Sequence, residues 1–106
     1  MTFENFKIEK MPDKEFRVGK ISPVDLLAIS TTIDFNNFKT QQVLVNFCLE
    51  HAEVKVGETW QPVKVKDKDV YQPMGIESDL PALTQVWQYM LENVIVKSFT
   101  NSSESK

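Results

Sequence analysis

Cys48 and His51 stand three residues apart in the stretch "NFCLEHAE", a separation that places two side chains on one face of a helix. Glu50 and Glu53 lie beside them, so thiolate, imidazole and carboxylate, the three ligand types of zinc, fall close together. A structural zinc site needs four ligands and normally repeats its Cys/His pairing elsewhere in the chain. The chain has one cysteine and one histidine, so this pair reads as a buried cysteine beside a surface histidine. Catalysis by a Cys-His pair fails on the same ground, because helix spacing alone supplies neither an orienting third residue nor an oxyanion hole.

The charged stretch "KVKDKDVYQPMGIES" offers a second candidate, a calcium loop. Such a loop wants oxygen ligands at its first, third and fifth positions, glycine at the sixth and glutamate at the twelfth. Counting from Asp67, the fifth is Tyr71, the sixth Gln72 and the twelfth Ser78, and the pattern fails. Three glycines, Gly19, Gly57 and Gly75, are too few and too widely spaced for a phosphate loop or a dinucleotide fingerprint, and no G-x-S-x-G elbow is present. Carboxylates are plentiful, but nothing in their spacing brings two of them to one pocket. The sequence therefore points to a protein without catalytic residues, bound metal or cofactor.

At 106 residues the chain is expected to form one domain, residues 1–98, followed by a polar tail, residues 99–106. A net charge of -3 gives no field that would draw a phosphate backbone, so nucleic acid is not an expected partner. A lone cysteine cannot close an internal disulfide and suits a reducing compartment. No window approaches the run of about 20 apolar residues that a membrane span requires, and the first residues do not read as a signal peptide. The expectation is a cytoplasmic protein with no membrane partner.

The elements that must position these residues alternate in type. "FKIEKM" and "EFRVGKI" alternate apolar with polar residues, as half-buried strands do, with a turn expected at Pro12 and Asp13. "SPVDLLAIS" reads as a helix start, with Ser22 as N-cap, Pro23 in the first turn and Asp25 complementing the dipole. A second helix is expected through "FKTQQVLVNFCLEHA", capped by Asp34 or Asn36, with Leu44, Phe47, Cys48 and Ala52 on one face. "EVKVGETWQPV" reads as a hairpin turning at Gly57, and Pro62 assigns its strand to a sheet edge. Beyond it, Val63 and Val65 are expected inward and Lys64 and Lys66 in water. These patterns predict an α+β fold: a small antiparallel sheet or hairpins packed with two to three helices, the last a long C-terminal amphipathic one.

That last helix, in "SDLPALTQVWQYMLENVIVKSF", can be capped by Ser78 or Asp79 and carries Leu83, Val86, Trp87, Met90, Leu91, Val94 and Ile95 at three-four spacing. Its apolar arc spans about 180°, wider than the stripe of about 100° that a core-facing helix needs. The chain's own sheet and helices are the first explanation of the excess. A partner groove that includes Val86, Leu91 and Ile95 is the second. Trp87, at the centre of the arc, is expected in the core, whereas Tyr89 on the far side and Trp60 on the edge strand are expected as exposed interface anchors.

Taken together, "FKIEKMPDKEFRVGKISPVDLLAI", "TWQPVKV" and "LENVIVKSFTNSS" resemble the small tail assembly chaperones of bacteriophages and prophages of Gram-positive bacteria with long, non-contractile tails. The resemblance spans nearly the whole chain and rests on packing and turn residues, with no catalytic motif among them. It implies a non-enzymatic factor of the host cytoplasm, absent from the finished virion. Its implied partners are the tape measure protein, which it keeps soluble, and the tail tube protein, whose subunits it helps to recruit. Self-association is a further expectation, along the apolar helix face. Two other readings remain open on the sequence: a structural head-to-tail joining or tail completion protein, and a metal-dependent enzyme built on Cys48 and His51.

Overall fold

A computed structural model describes residues 5–32 and 37–96. Asp34, Asn36 and the 99–106 stretch lie outside the described residues. In chain order the elements are β1 (Phe6–Ile8), β2 (Met11–Val18), α1 (Pro23–Thr32), α2 (Phe38–His51), β3 (Ala52–Val56), β4 (Thr59–Pro62), a 3-10 turn (Ile76–Ser78), α3 (Leu80–Met90) and a π-helical turn (Leu91–Val96). The strands form one antiparallel sheet in the order β1-β2-β3-β4. The fold is α+β, as the alternating periodicities predict.

The first hairpin differs from expectation in its turn. Ile8 pairs with Met11, so Glu9 and Lys10 make the turn, and Pro12 and Asp13 lie inside β2. Between that pair and Phe6–Phe16 the register shifts, because β2 carries more residues than β1. A proline without an N–H is tolerated in such an irregular stretch, where the ladder is already interrupted. Lys10 N–H donates to Gln85 Oε1 at 3.0 Å, which ties the turn to α3.

The second hairpin turns at Gly57 and Glu58, between the paired Val56 and Thr59. Gly57 has φ 65°, the left-handed conformation that two-residue hairpin loops require at their first central position. β4 is an edge strand, as Pro62 indicates. Val63 N–H donates to Ala52 O at 2.8 Å, so by alternation Gln61 and Thr59 also bond toward β3, while the backbones of Trp60 and Pro62 face the free edge. Proline thus occupies the position whose N–H would have been left unpaired.

Gly19 is needed for another reason. Its N–H donates to His51 O at 2.6 Å, extending the β2–β3 ladder to the end of α2. A Cβ at this position would stand 2.7 Å from that same carbonyl oxygen.

Side-chain caps set the helix starts. Ser22 Oγ accepts from Asp25 N–H at 3.1 Å and Asp79 Oδ1 from Ala82 N–H at 3.1 Å, both as expected. The cap of α2 is Asn37, whose Oδ1 accepts from Lys39 N–H at 2.9 Å. The long terminal helix is α-helical only to Met90, and the wider π turn then lets both Val94 and Ile95 reach the interior. Phe6, Phe16 and Val54 form a row across the sheet's inner face, and Leu44, Cys48, Val86, Met90, Val94 and Ile95 from the helical side pack with them in one cluster.

After Val63 the chain leaves the sheet and crosses to α2, where Lys64 N–H donates to Leu49 O at 3.1 Å. This overturns the expectation for Lys64. The residue is 6% exposed, and its ammonium meets Glu50 Oε2 at 3.2 Å. Strand alternation ceased to apply once the segment packed on a helix. Val63 is buried, Val65 half-buried and Lys66 exposed.

Two outcomes are expected from denaturant unfolding. Gly19→Ala should cost about 1–3 kcal/mol, because backbone must shift to admit the methyl group; an unchanged midpoint would show that the β2–α2 approach is looser than described. Lys64→Met should cost about 3 kcal/mol by leaving Glu50 without its partner in a mostly buried site, and adding Glu50→Gln should restore most of it. Additive losses in the double variant would contradict a buried, coupled pair.

Candidate functional site

Cys48 lies in the core, fully buried, and burial pushes its thiol up to about 12. At neutral pH it is a protonated, apolar filler and not a nucleophile. His51 is half-buried at the end of α2, its Nδ1 2.9 Å from Phe47 O and its ring 4.3 Å from that of Phe47. Glu50 is engaged by Lys64, and Glu53 by Arg17 Nε at 2.6 Å. The four side chains that looked like a ligand set are thus directed to separate tasks, and among the described residues no group of three or more His, Cys, Asp or Glu is placed to hold a metal ion.

The five residues expected at a partner surface are dispersed. Val86 and Ile95 are 0% and 1% exposed, which corrects their assignment to an outward face: the sheet and α2 cover the centre of the arc. Leu91 is half-buried against the same core. Tyr89 does not stand on the far side of α3. Its ring stacks on Phe6 with centroids 3.7 Å apart at 13°, and Phe6 stacks on Phe16 at 5.5 Å. Trp60 pairs with Lys55 on the outer face of the sheet, where the Arg17 guanidinium sits 4.3 Å above its ring. It is half-buried there, away from the helices.

What the structure does bring together is a groove of about 360 Å³ between α2 and α3, lined by Val45, Leu49, Tyr71, Leu83, Trp87 and the 70% exposed Leu80, with Asn46 and Thr84 at its polar points. A shallower depression of about 300 Å³ prolongs it toward the start of α2, past Val45 and Asn46 to Gln41, Gln42 and the 71% exposed Phe38. None of these lining residues is charged, in a chain with 25% charged residues. Trp87 is not fully internal as expected: its ring lines the groove while its Nε1 is buried and meets no hydrogen-bond partner among the described residues. An indole N–H left this way costs about 1–3 kcal/mol.

No family model, no curated protein and no solved structure matches the chain. The trough carries no charged side chain among the residues that line it. It suits the apolar stripe of a protein segment, a helix above all. No helix among the described residues is long and apolar enough to cross a membrane.

The sequence does not single out this groove, because the terminal helix carries the wider apolar arc. The signal was present in α2, where Phe38, Gln41, Gln42, Val45 and Leu49 recur at helical spacing on a face distinct from that of Leu44 and Cys48.

The raised Cys48 thiol has a consequence at alkaline pH. A group whose acid form is favoured by folding contributes full stability below its unfolded value near 9 and loses it as pH rises toward about 12. Wild-type stability should fall across that window by up to about 1.4 kcal/mol per pH unit more steeply than that of Cys48→Ala. Parallel pH profiles for the two proteins would show the thiol to be reachable by solvent.

Proposed function

We propose that the chain is a non-catalytic, protein-binding factor, a phage tail assembly chaperone that holds the tape measure protein soluble and helps to recruit tail tube subunits around it. The uncharged apolar groove between α2 and α3 is the observation that carries this reading. A chaperone for a long helical client needs a surface that accepts apolar helix stripes of varied sequence, and a trough lined by Val45, Leu49, Leu83 and Trp87 makes few specific demands. Charges elsewhere keep the complex in solution. The resemblance of the strand, turn and terminal-helix segments to that chaperone family supports the same reading. The site of action on this reading is the bacterial cytoplasm during assembly.

Co-expression with the product of the gene immediately downstream tests it. The expected result is a soluble complex containing several copies of this chain, and a return of the client to the insoluble fraction with Leu80→Glu or Phe38→Glu, both exposed positions. A client whose solubility is indifferent to the chain would overturn the proposal, and so would stoichiometric recovery of the chain in purified particles.

A further inference from the structure

The burial of the terminal helix changes phase near its end. At about 100° per residue, an unbroken α-helix that turns Val86 to the sheet puts Ala82 and Met90 about 40° to either side of it, and all three are 0% exposed. Continued past Met90 in the same phase, that helix would bring Asn93 to within about 20° of Val86, on the line that faces the core, and would turn Ile95 about 180° away. The opposite is found. Ile95 is 1% exposed and Val94 0%, whereas Asn93 is only half-buried.

The π turn Leu91–Val96 accounts for the slip. Its wider coil absorbs one extra residue, so Val94 takes the inward position that the α phase would give to Asn93, and Ile95 follows it inward. The change starts at Leu91, whose N–H is shared between Trp87 O and Gln88 O. Asn93 then turns its side chain to the backbone: Nδ2 donates to Tyr89 O at 3.0 Å, the carbonyl that Asn93 N–H would take in an α-helix. Tyr89 is also the residue whose ring lies on Phe6, so this clamp grips the part of α3 that is anchored to the sheet.

We infer that the end of this helix is a two-register device and that the Asn93 amide holds it in the π register. The α register lies one residue away. It would recover ordinary α-helical hydrogen bonds, but it would carry an amide into the apolar core and lay Ile95 open to water, two changes that favour the π form. With an apolar residue at position 93 the first of these reverses and the clamp on Tyr89 O is lost, so the helix end slips into the α register and exposes Ile95. Position 93 thus sets which side chain the helix end presents to solvent, and with it the direction in which the chain leaves the core at Val96. This rests on neither the groove nor the chaperone reading.

Labelling of a single thiol reads the register. The parent variant Cys48→Ala/Ile95→Cys carries its one thiol at a position that the π register covers, and it should react slowly with a maleimide under native conditions. Adding Asn93→Leu should speed that reaction at least about tenfold, while circular dichroism and the urea midpoint report a folded protein. Deleting Asn93 instead should keep the reaction slow, because without the extra residue an unbroken α-helix brings Val94 and Ile95 inward by itself, and the midpoint should equal or exceed that of the parent. Deletion of Gln88, an exposed residue of α3, is the control: it turns Tyr89 away from Phe6 and should lower the midpoint sharply. An Asn93 deletion as damaging as the Gln88 deletion overturns the inference, since the π turn would then not be an insertion. Rapid labelling of the parent overturns it as well, as does a reaction that Asn93→Leu leaves equally slow. An Asn93→Leu chain that unfolds instead of changing register counts equally against it.

Discussion

The packing of α3 against the inner face of the sheet is the interaction on which the rest of the structure depends. Tyr89 lies on Phe6, Phe6 on Phe16, and Phe16 pairs in register with Val54, so one continuous apolar contact runs from the last helix through three strands. β1 is only three residues long and has a single strand neighbour. Without the aromatic face of α3 it would have little to hold it, since a short hairpin is marginal in water.

This arrangement explains why the groove exists. α2 turns Leu44 and Cys48 inward, and α3 turns Val86 and Met90 inward, each to the same sheet. Two helices committed to one floor cannot also close on each other along their whole length. Leu49, Val45, Leu83 and Trp87 are left facing across the gap, and Leu80 projects at its end. The segment between Val63 and Asp79 bounds the gap on one side through Tyr71. It is fastened at its base by Lys64, whose backbone bonds Leu49 and whose ammonium reaches Glu50. A buried ion pair adds little net stability but penalises any arrangement that separates its partners. Here it fixes where the charged ribbon leaves the helix, and so keeps charge out of the trough.

The charges elsewhere are handled cheaply. Arg17, Glu53, Lys55 and Trp60 occupy the solvent face of the sheet, and the Arg17–Glu53 pair is 40% and 26% exposed in its two side chains, where ion pairs contribute about 1 kcal/mol or less. Its larger effect is to cover Trp60 with a guanidinium, removing an aromatic anchor from an otherwise available edge.

Local chemistry was legible in the letters. Ser22 and Asp79 cap their helices, Gly57 turns its hairpin, Pro62 marks the sheet edge and Cys48 is internal, because each depends on a few neighbouring atoms or on simple alternation. The fold class followed from the same periodicities. Three things did not follow. The turn at Glu9 and Lys10 was decided by the register that Phe6 must keep with Phe16. The burial of Lys64 was decided by the nearness of α2, which converts an alternating strand into a crossing segment. The locations of Val86, Ile95 and Tyr89 were decided by which flank of α3 meets the sheet, a choice that an apolar arc of about 180° leaves open. A one-dimensional pattern states which side chains avoid water. Which of them are covered by the chain itself, and which remain as the α2/α3 trough, is settled only when the elements compete for the same inner face of the sheet.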